Sequence, residues 1–443
     1  MPVISRPPAT ESLVALARAL LSDTSSAPSA TLADLLGDST PATAGLAGAG
    51  VGAAPVVDLA AAGLAPAVGL ATVGPAPVVD LAAVGLGTAI PFPAFHGRPT
   101  GLGTSAAWLR PNQPEPATGA TAAKGDDDLP ELFCPGPARD DPALGELVND
   151  RLVIWAEEMG IYAGRLDHLR SCNFGRLMML THPAVDDPDR LLAATQVVVA
   201  EWAADDYYLD EEEMGADPRL TSARLGLIYG MVDPAALPGA YQPQLDDFVR
   251  DEPIARAFRS GMRNLARYTT GAQMGRFQHQ MAILFTTLGQ NASWRVSGAR
   301  PAVWEYLVHR HHNSYLPPMI LVDALAGYEL SAEEFYHPRV RRAFTMAGLA
   351  AVLINDLNSA GKEADDDLSL PEAIVAEEGC TRKEAIRRTI EIHNELMRGF
   401  VAEAGALSLV GTPNLRRFFA DTWAWCGGSR EWHATTRRYH SEA

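Results

Sequence analysis

Asn355, Ser359 and Glu363 recur every four residues in the segment running from Leu353 to Glu363, and all three carry oxygen. At 3.6 residues per turn they fall on one helix face, a stripe about 12 Å long. An amide oxygen, a hydroxyl and a carboxylate of low total charge suit magnesium, which keeps coordination positions for water and substrate phosphates. Lys362, one of only three lysines in the chain, stands beside Glu363; its compact ammonium can reach a phosphate oxygen. A second acidic segment comes earlier, with Asp205, Asp206 and Asp210 followed by Glu211, Glu212 and Glu213. Val198, Trp202 and Asp205 follow at helical spacing, so Asp205 continues an apolar face, where a carboxylate needs a cation or hydrogen bonds to compensate it. Asp206 and Asp210 form an i, i+4 pair one step around. Each segment alone also fits a solvated helix end. Two such ends facing one another imply one cluster of divalent cations between them.

Between the two segments lies Trp304 to Pro318, with Arg310, three histidines and the pair Pro317-Pro318. Neither proline has an N–H, so in a helix the carbonyls of Asn313 and Ser314 lose their partners and the helix kinks. His309, His311 and His312 make a poor zinc site, because consecutive residues point to different helix faces.

In this order the motifs resemble those of class I terpene cyclases: an aspartate-rich motif, then an Asn-Asp-x-x-Ser-x-x-x-Glu triad. Trp304 to Pro318 is similar to the diphosphate-sensing helix of the bacterial members, and Arg438-Tyr439 to the Arg-Tyr pair that closes over the diphosphate. The resemblance runs from about Leu129 to the end. It implies an all-α bundle of helices around a central cavity and a magnesium-dependent lyase acting on a prenyl diphosphate. Three metal ions are implied, with Asp205, Asn355, Ser359 and Glu363 as ligands and Asp206 and Asp210 in or just behind that set. Leu209 replaces the last acid of the common Asp-Asp-x-x-Asp form, which leaves Asp205 as the safest ligand of the first segment. Arg310, Lys362, Arg438 and Tyr439 are implied to hold the diphosphate, with Arg310 as sensor, Asn313 as linker and Ser314 as the effector whose carbonyl faces the nascent cation. Within the family, the Ala/Pro/Gly-rich leader and the stretch from Phe133 to Pro142 are most similar to the branch that cyclises 2-methylgeranyl diphosphate and captures water. Homodimers are the family's habit, which is all that the resemblance implies about assembly.

These ligands need long helices to carry them. From about residue 126 the pattern is helical: Leu144, Leu147, Val148, Leu152 and Trp155 mark one amphipathic helix, and Ala385 to Phe400 another. Trp202, Tyr207, Tyr208, Trp304, Tyr306, Trp423 and Trp425 cluster in sequence around the site segments. Aromatic faces can stabilise a carbocation, although most such rings simply fill helical cores. The first part of the chain differs. Met1 to Ile90 holds no aromatic residue, and Ala54 to Leu64 recurs nearly unchanged as Ala76 to Leu86. Residues 1–125 read as a disordered low-complexity segment, with one short helix over Glu11 to Leu21.

A net charge of −18 over 443 residues argues against a nucleic-acid or anionic-membrane surface. Divalent cations reconcile that charge with an anionic substrate. Cys134, Cys172, Cys380 and Cys426 show no close metal or redox spacing and read as reduced thiols. No secretory signal or membrane-spanning run is evident, which places the chain in the cytoplasm. Three rivals stand beside the cyclase reading. A chain-elongating prenyltransferase needs a second aspartate-rich motif where the Asn355 to Glu363 triad lies. A sister cyclase could make a methylated bornane hydrocarbon, or a sesquiterpene from farnesyl diphosphate. A non-catalytic metal-binding scaffold leaves Arg310 and Arg438-Tyr439 without a purpose.

Overall fold

The computed structural model describes residues 129–359 and 368–438. The expected leader, its short helix, Lys362, Glu363 and Tyr439 lie outside the described residues. Among those described there are helices and no strands. In chain order they are α1 (Pro142–Met159), α2 (Leu166–Cys172), α3 (Phe174–Thr181), α4 (Pro188–Asp205), α5 (Thr221–Val232), α6 (Gln242–Asp251), α7 (Pro253–Leu265) and α8 (Gly271–Ser297). There follow α9 (Val303–His312), α10 (Leu316–Met319), α11 (Val322–Leu325), α12 (Ala332–Phe335), α13 (Pro338–Ser359), α14 (Leu370–Glu378), α15 (Arg382–Val410) and α16 (Pro413–Thr435).

The sequence sets many of the helix ends. Asp141 caps α1 by accepting from the Leu144 N–H, Pro142 starts the helix, and Gly160 ends it in the left-handed conformation at φ 75°. Asp187 and Pro188 open α4 in the same way. Thr270 with Gln273, and Thr381 with Glu384, form capping boxes at the starts of the two longest helices, α8 and α15.

Packing joins α13 to α15 and α16, α4 to α7, α3 to α1 and α16, and α8 to α5 and α9. Two glycines permit close backbone approach. A Cβ on Gly175 of α3 would meet the Asn149 amide nitrogen of α1, and one on Gly428 of α16 would meet the Leu180 carbonyl of α3. The core is one large apolar cluster running through α1, α3, α4, α7, α8, α13, α15 and α16, with a smaller one around Tyr306, Leu353 and Leu370.

The expected first amphipathic helix is α1, with Val148, Leu152 and Trp155 buried, but Leu147 is 41% exposed. The helix expected over Ala385 to Phe400 extends to Val410. None of the four cysteines, all of them among the described residues, forms a disulfide, and Cys172 and Cys426 are buried. Among the described residues no helix is long and apolar enough to cross a membrane.

Candidate active site

A cavity of about 870 Å³ opens between α4, α8, α9 and α13, within the range of small-molecule sites. Asp205, Asp206 and Asp210 line it from the end of α4, and Asn355 and Ser359 from α13. Arg310, Asn313, Ser314 and Arg438 complete the expected set among the described residues. Side chains far apart in the chain therefore share one hollow.

Past Asp205 the backbone loosens into a π-turn, Asp206–Asp210, closed by the Glu211 N–H donating to the Asp206 carbonyl at 2.9 Å. Such turns occur frequently at functional sites. The plain α-helical i, i+4 register expected for Asp206 and Asp210 is thereby replaced. Asp206 is buried and accepts from the Tyr162 hydroxyl at 2.6 Å and from Arg438 at 3.2 Å. Asp210 pairs with Arg295 of α8 at 2.6 Å, and Arg295 also donates to the Leu209 carbonyl at 2.9 Å.

Asp205 is different. Its Oδ1 is shut off from solvent and has no hydrogen-bond partner. Burial first, then the like charges of Asp210 and Asp206, hold its carboxyl well above the ordinary carboxylate range, against the pull of Arg295 and Arg438. A carboxyl group on a residue that lines the cavity, with one oxygen unpartnered, and an amide and a hydroxyl reaching the same cavity from α13, make a donor set that fits a hard divalent cation. No group of three His, Cys, Asp or Glu side chains among the described residues is placed to hold a metal ion. Asp206 and Asp210 are each paired with an arginine, Arg438 and Arg295.

The α9 helix stops at His312, before the two prolines, and Asn313 to Tyr315 form a bend leading into α10. The break expected from Pro317 and Pro318 is present, and both prolines sit at the start of α10, where a missing N–H costs little. Asn313 keeps a partner, because its carbonyl and its Oδ1 accept from Arg310 Nη1 at 3.4 and 3.5 Å. Ser314 is buried at the bend.

Arg310 is anchored from below. Its Nη2 and Nε donate to Asp356 Oδ1 at 2.5 and 3.0 Å, and its Nε also donates to the Tyr306 hydroxyl at 3.0 Å. Nη2 reaches Asn355 Oδ1 at 3.3 Å, so sensor and triad are already in contact. Burial works against the charge of Arg310, and Asp356 with Tyr306 overcomes it, raising its pKa above that of an ordinary arginine. Asp356 is fully buried and also accepts from the Leu370 N–H at 3.0 Å.

The other arginine, Arg438, lies over the Trp202 ring at 5.2 Å, and Trp202 packs on Phe174 and Trp432. Of the seven aromatics singled out above, Trp202 and Tyr306 line the cavity. Trp304 is 65% exposed, and Trp425 belongs to the core. His309 is buried against Trp294, with burial and the neighbouring Arg310 lowering its pKa to about 3.

Asp356, Arg295 and Tyr162 were not singled out from the sequence. Tyr162 holds φ 54°, a left-handed conformation rare for a tyrosine. Its N–H donates to the Tyr207 hydroxyl at 2.7 Å while its own hydroxyl holds Asp206. Asp356 stood within the quoted triad, next to Asn355, and its position on an otherwise apolar helix face was the available signal.

A family model described as terpene synthase family 2, C-terminal metal binding, matches residues 196–399. The 2-methylisoborneol synthase of Saccharopolyspora erythraea is 35% identical over 322 residues, covering 70% of this chain and 89% of that protein. The chain belongs to the class I terpene synthases. The 2-methylisoborneol synthase of Streptomyces ambofaciens is 34% identical over 359 residues, covering 77% of this chain and 80% of the relative. The fold agrees with this family membership. The crystal structure of 2-methylisoborneol synthase from Streptomyces coelicolor A3(2) in complex with Mg2+ and 2-fluoroneryl diphosphate matches with a TM-score of 0.66 at 32% identity. That match covers 70% of this chain and 97% of the other.

Proposed function

We propose that this terpene synthase ionises 2-methylgeranyl diphosphate and cyclises it, with capture of water, to 2-methylisoborneol and diphosphate, and that it requires Mg2+. The observation that carries the reading is the convergence on one cavity of Asp205 from α4 and Asn355 and Ser359 from α13, with Arg310 and Arg438 also lining it. The similarity to 2-methylisoborneol synthases over most of their length supports the substrate class.

In this reading residues 126–443 form the catalytic domain and act in the cytoplasm, as a homodimer if this chain follows its family's habit. Asp205, Asn355, Ser359 and Glu363 hold the magnesium ions, which supply positive charge as the diphosphate leaves. Asp206 and Asp210 support that set from behind, tied to Arg438 and Arg295. Arg310, Lys362, Arg438 and Tyr439 bind the diphosphate. Arg310 already touches Asn313 and Asn355, so an anion drawn to its guanidinium pulls on both the bend and the triad. Asn313 transmits that pull, and the Ser314 carbonyl, whose i+4 residue is Pro318 and offers no N–H, turns toward the developing cation. Trp202 presents an aromatic face to the cavity, and the surrounding helices exclude bulk water, so the cation rearranges before it is quenched.

The test is to incubate the purified chain with Mg2+ and, separately, geranyl, 2-methylgeranyl and farnesyl diphosphates, reading diphosphate release and volatile products. Preferred turnover of 2-methylgeranyl diphosphate to the alcohol is expected. Turnover of farnesyl diphosphate alone would overturn the substrate assignment, and release from none of the three would favour the scaffold.

A further inference from the structure

Glu201 lines the same cavity one helical turn before Asp205 on α4, about 5–6 Å along the axis from the metal-binding end. It is 7% exposed, and its Oε2 has no hydrogen-bond partner. Asn291 of α8 also lines the cavity, and its Oδ1 is likewise buried and without a partner. Leu288 and Leu284, one and two turns before Asn291 on α8, and Val352 of α13 also line the cavity.

Two orphaned buried polar atoms are expensive unless something bonds to them. Glu201 stands one turn before Asp205 on α4, away from the π-turn that carries Asp206 and Asp210. A water molecule supplies such a bond, since buried waters occupy polar pockets where two to four groups reach them. We propose that Glu201, with Asn291, holds the water that ends the reaction as an alcohol. This assignment rests on the water-capturing function proposed above.

Burial alone pushes the Glu201 carboxyl up to about 8, so it is mainly protonated near neutrality. A neutral carboxyl can donate to or accept from water. An anionic oxygen in that place would attack the carbocation itself. In the quenching step the water oxygen gives a lone pair to the empty orbital of the cyclised cation and a C–O bond forms. The resulting oxonium loses one proton to the diphosphate co-product, which returns the balance to alcohol plus protonated diphosphate. Glu201 orients the water and takes no net proton.

The experiment compares the full chain with Glu201→Leu and Glu201→Gln, using Mg2+ and 2-methylgeranyl diphosphate, with diphosphate release and the alcohol-to-hydrocarbon ratio as readouts. Glu201→Leu should release diphosphate within about threefold of the parent rate while the ratio falls about tenfold or more. Glu201→Gln, which keeps a donor and an acceptor, should hold the ratio within about twofold. An unchanged ratio in Glu201→Leu overturns the proposal, and so does collapse of the ratio in Glu201→Gln, which would make the carboxyl a base. If Glu201→Leu fails to fold, Asn291→Leu carries the same expectation and the same refutation. A parent chain that gives only hydrocarbons overturns the alcohol reading itself, whereas parent alcohol with an unchanged variant ratio overturns only the role of Glu201.

Discussion

Replacing Asp356 with Asn should cost the protein both stability and turnover, and the structure sets the size of each loss. The carboxylate accepts four hydrogen bonds: two from Arg310, one from the Tyr306 hydroxyl and one from the Leu370 N–H. An asparagine of the same shape offers one acceptor oxygen, so at least one pair of these donors is abandoned and the charge opposite Arg310 disappears. Removing one partner of a buried ion pair typically costs 3–5 kcal/mol. The Arg310 side chain is 15% exposed and borders the cavity, so water can compensate part of that loss. The expectation is about 3 kcal/mol, or a fall in Tm of roughly 5 °C for a domain of this size. Because Arg310 would no longer be held against Asn355, kcat/KM should drop about a hundredfold. Thermal melting by circular dichroism and steady-state diphosphate release measure the two effects. A Tm within about 1 °C of the parent would refute the claim that this pair anchors α9 to α13. A lowered Tm with unchanged kcat/KM would confine Asp356 to the fold.

Asp205→Ala and Asn355→Ala should each abolish turnover while leaving helicity intact, whereas Asp210→Ala, which frees Arg295, should do less harm. Equal loss from Asp210→Ala in a diphosphate-release assay would show that the metal shells are assigned wrongly. Burial lowers the pKa of His182, His393 and His433 to about 4 each, against 6.5 in an unfolded chain. The unfolded state therefore binds more protons between those values, and stability present above about pH 6.5 should be lost as pH falls toward about 4, by about 3 kcal/mol for each histidine and on the order of 10 kcal/mol for the three. Glu201, held neutral to about 8, opposes this trend above about pH 4.5, so denaturant midpoints should be compared with those of Glu201→Gln. Gly175→Ala should destabilise by about 3 kcal/mol or more through overpacking against α1. A denaturant midpoint equal to the parent's would mean that the helices separate without difficulty.

Long-range ion pairing was the least legible part of the site. Asn355 and Ser359 were readable because their spacing is a property of one helix, and the break after His312 because proline chemistry is local. The partners of the carboxylates were not. Asp206 and Asp210 look equivalent in sequence, yet one meets Tyr162 and Arg438 and the other Arg295, contacts that depend on the π-turn and on helices distant in the chain. The aromatics show the same divide: Trp202 faces the cavity and Trp304 faces solvent, although both stand next to site motifs.

By itself, then, the sequence determined the helices, their caps, and the order of ligand types along them, because periodicity, capping and proline effects act over a few residues. Tertiary packing decided which of those ligands face the hollow, which carboxylates are already neutralised by arginine, and that Asp205, Glu201 and Asn291 are left with unpartnered oxygens. Desolvation and ion pairing depend on what lies across the cavity, and that information does not exist until α4, α8, α9 and α13 are assembled.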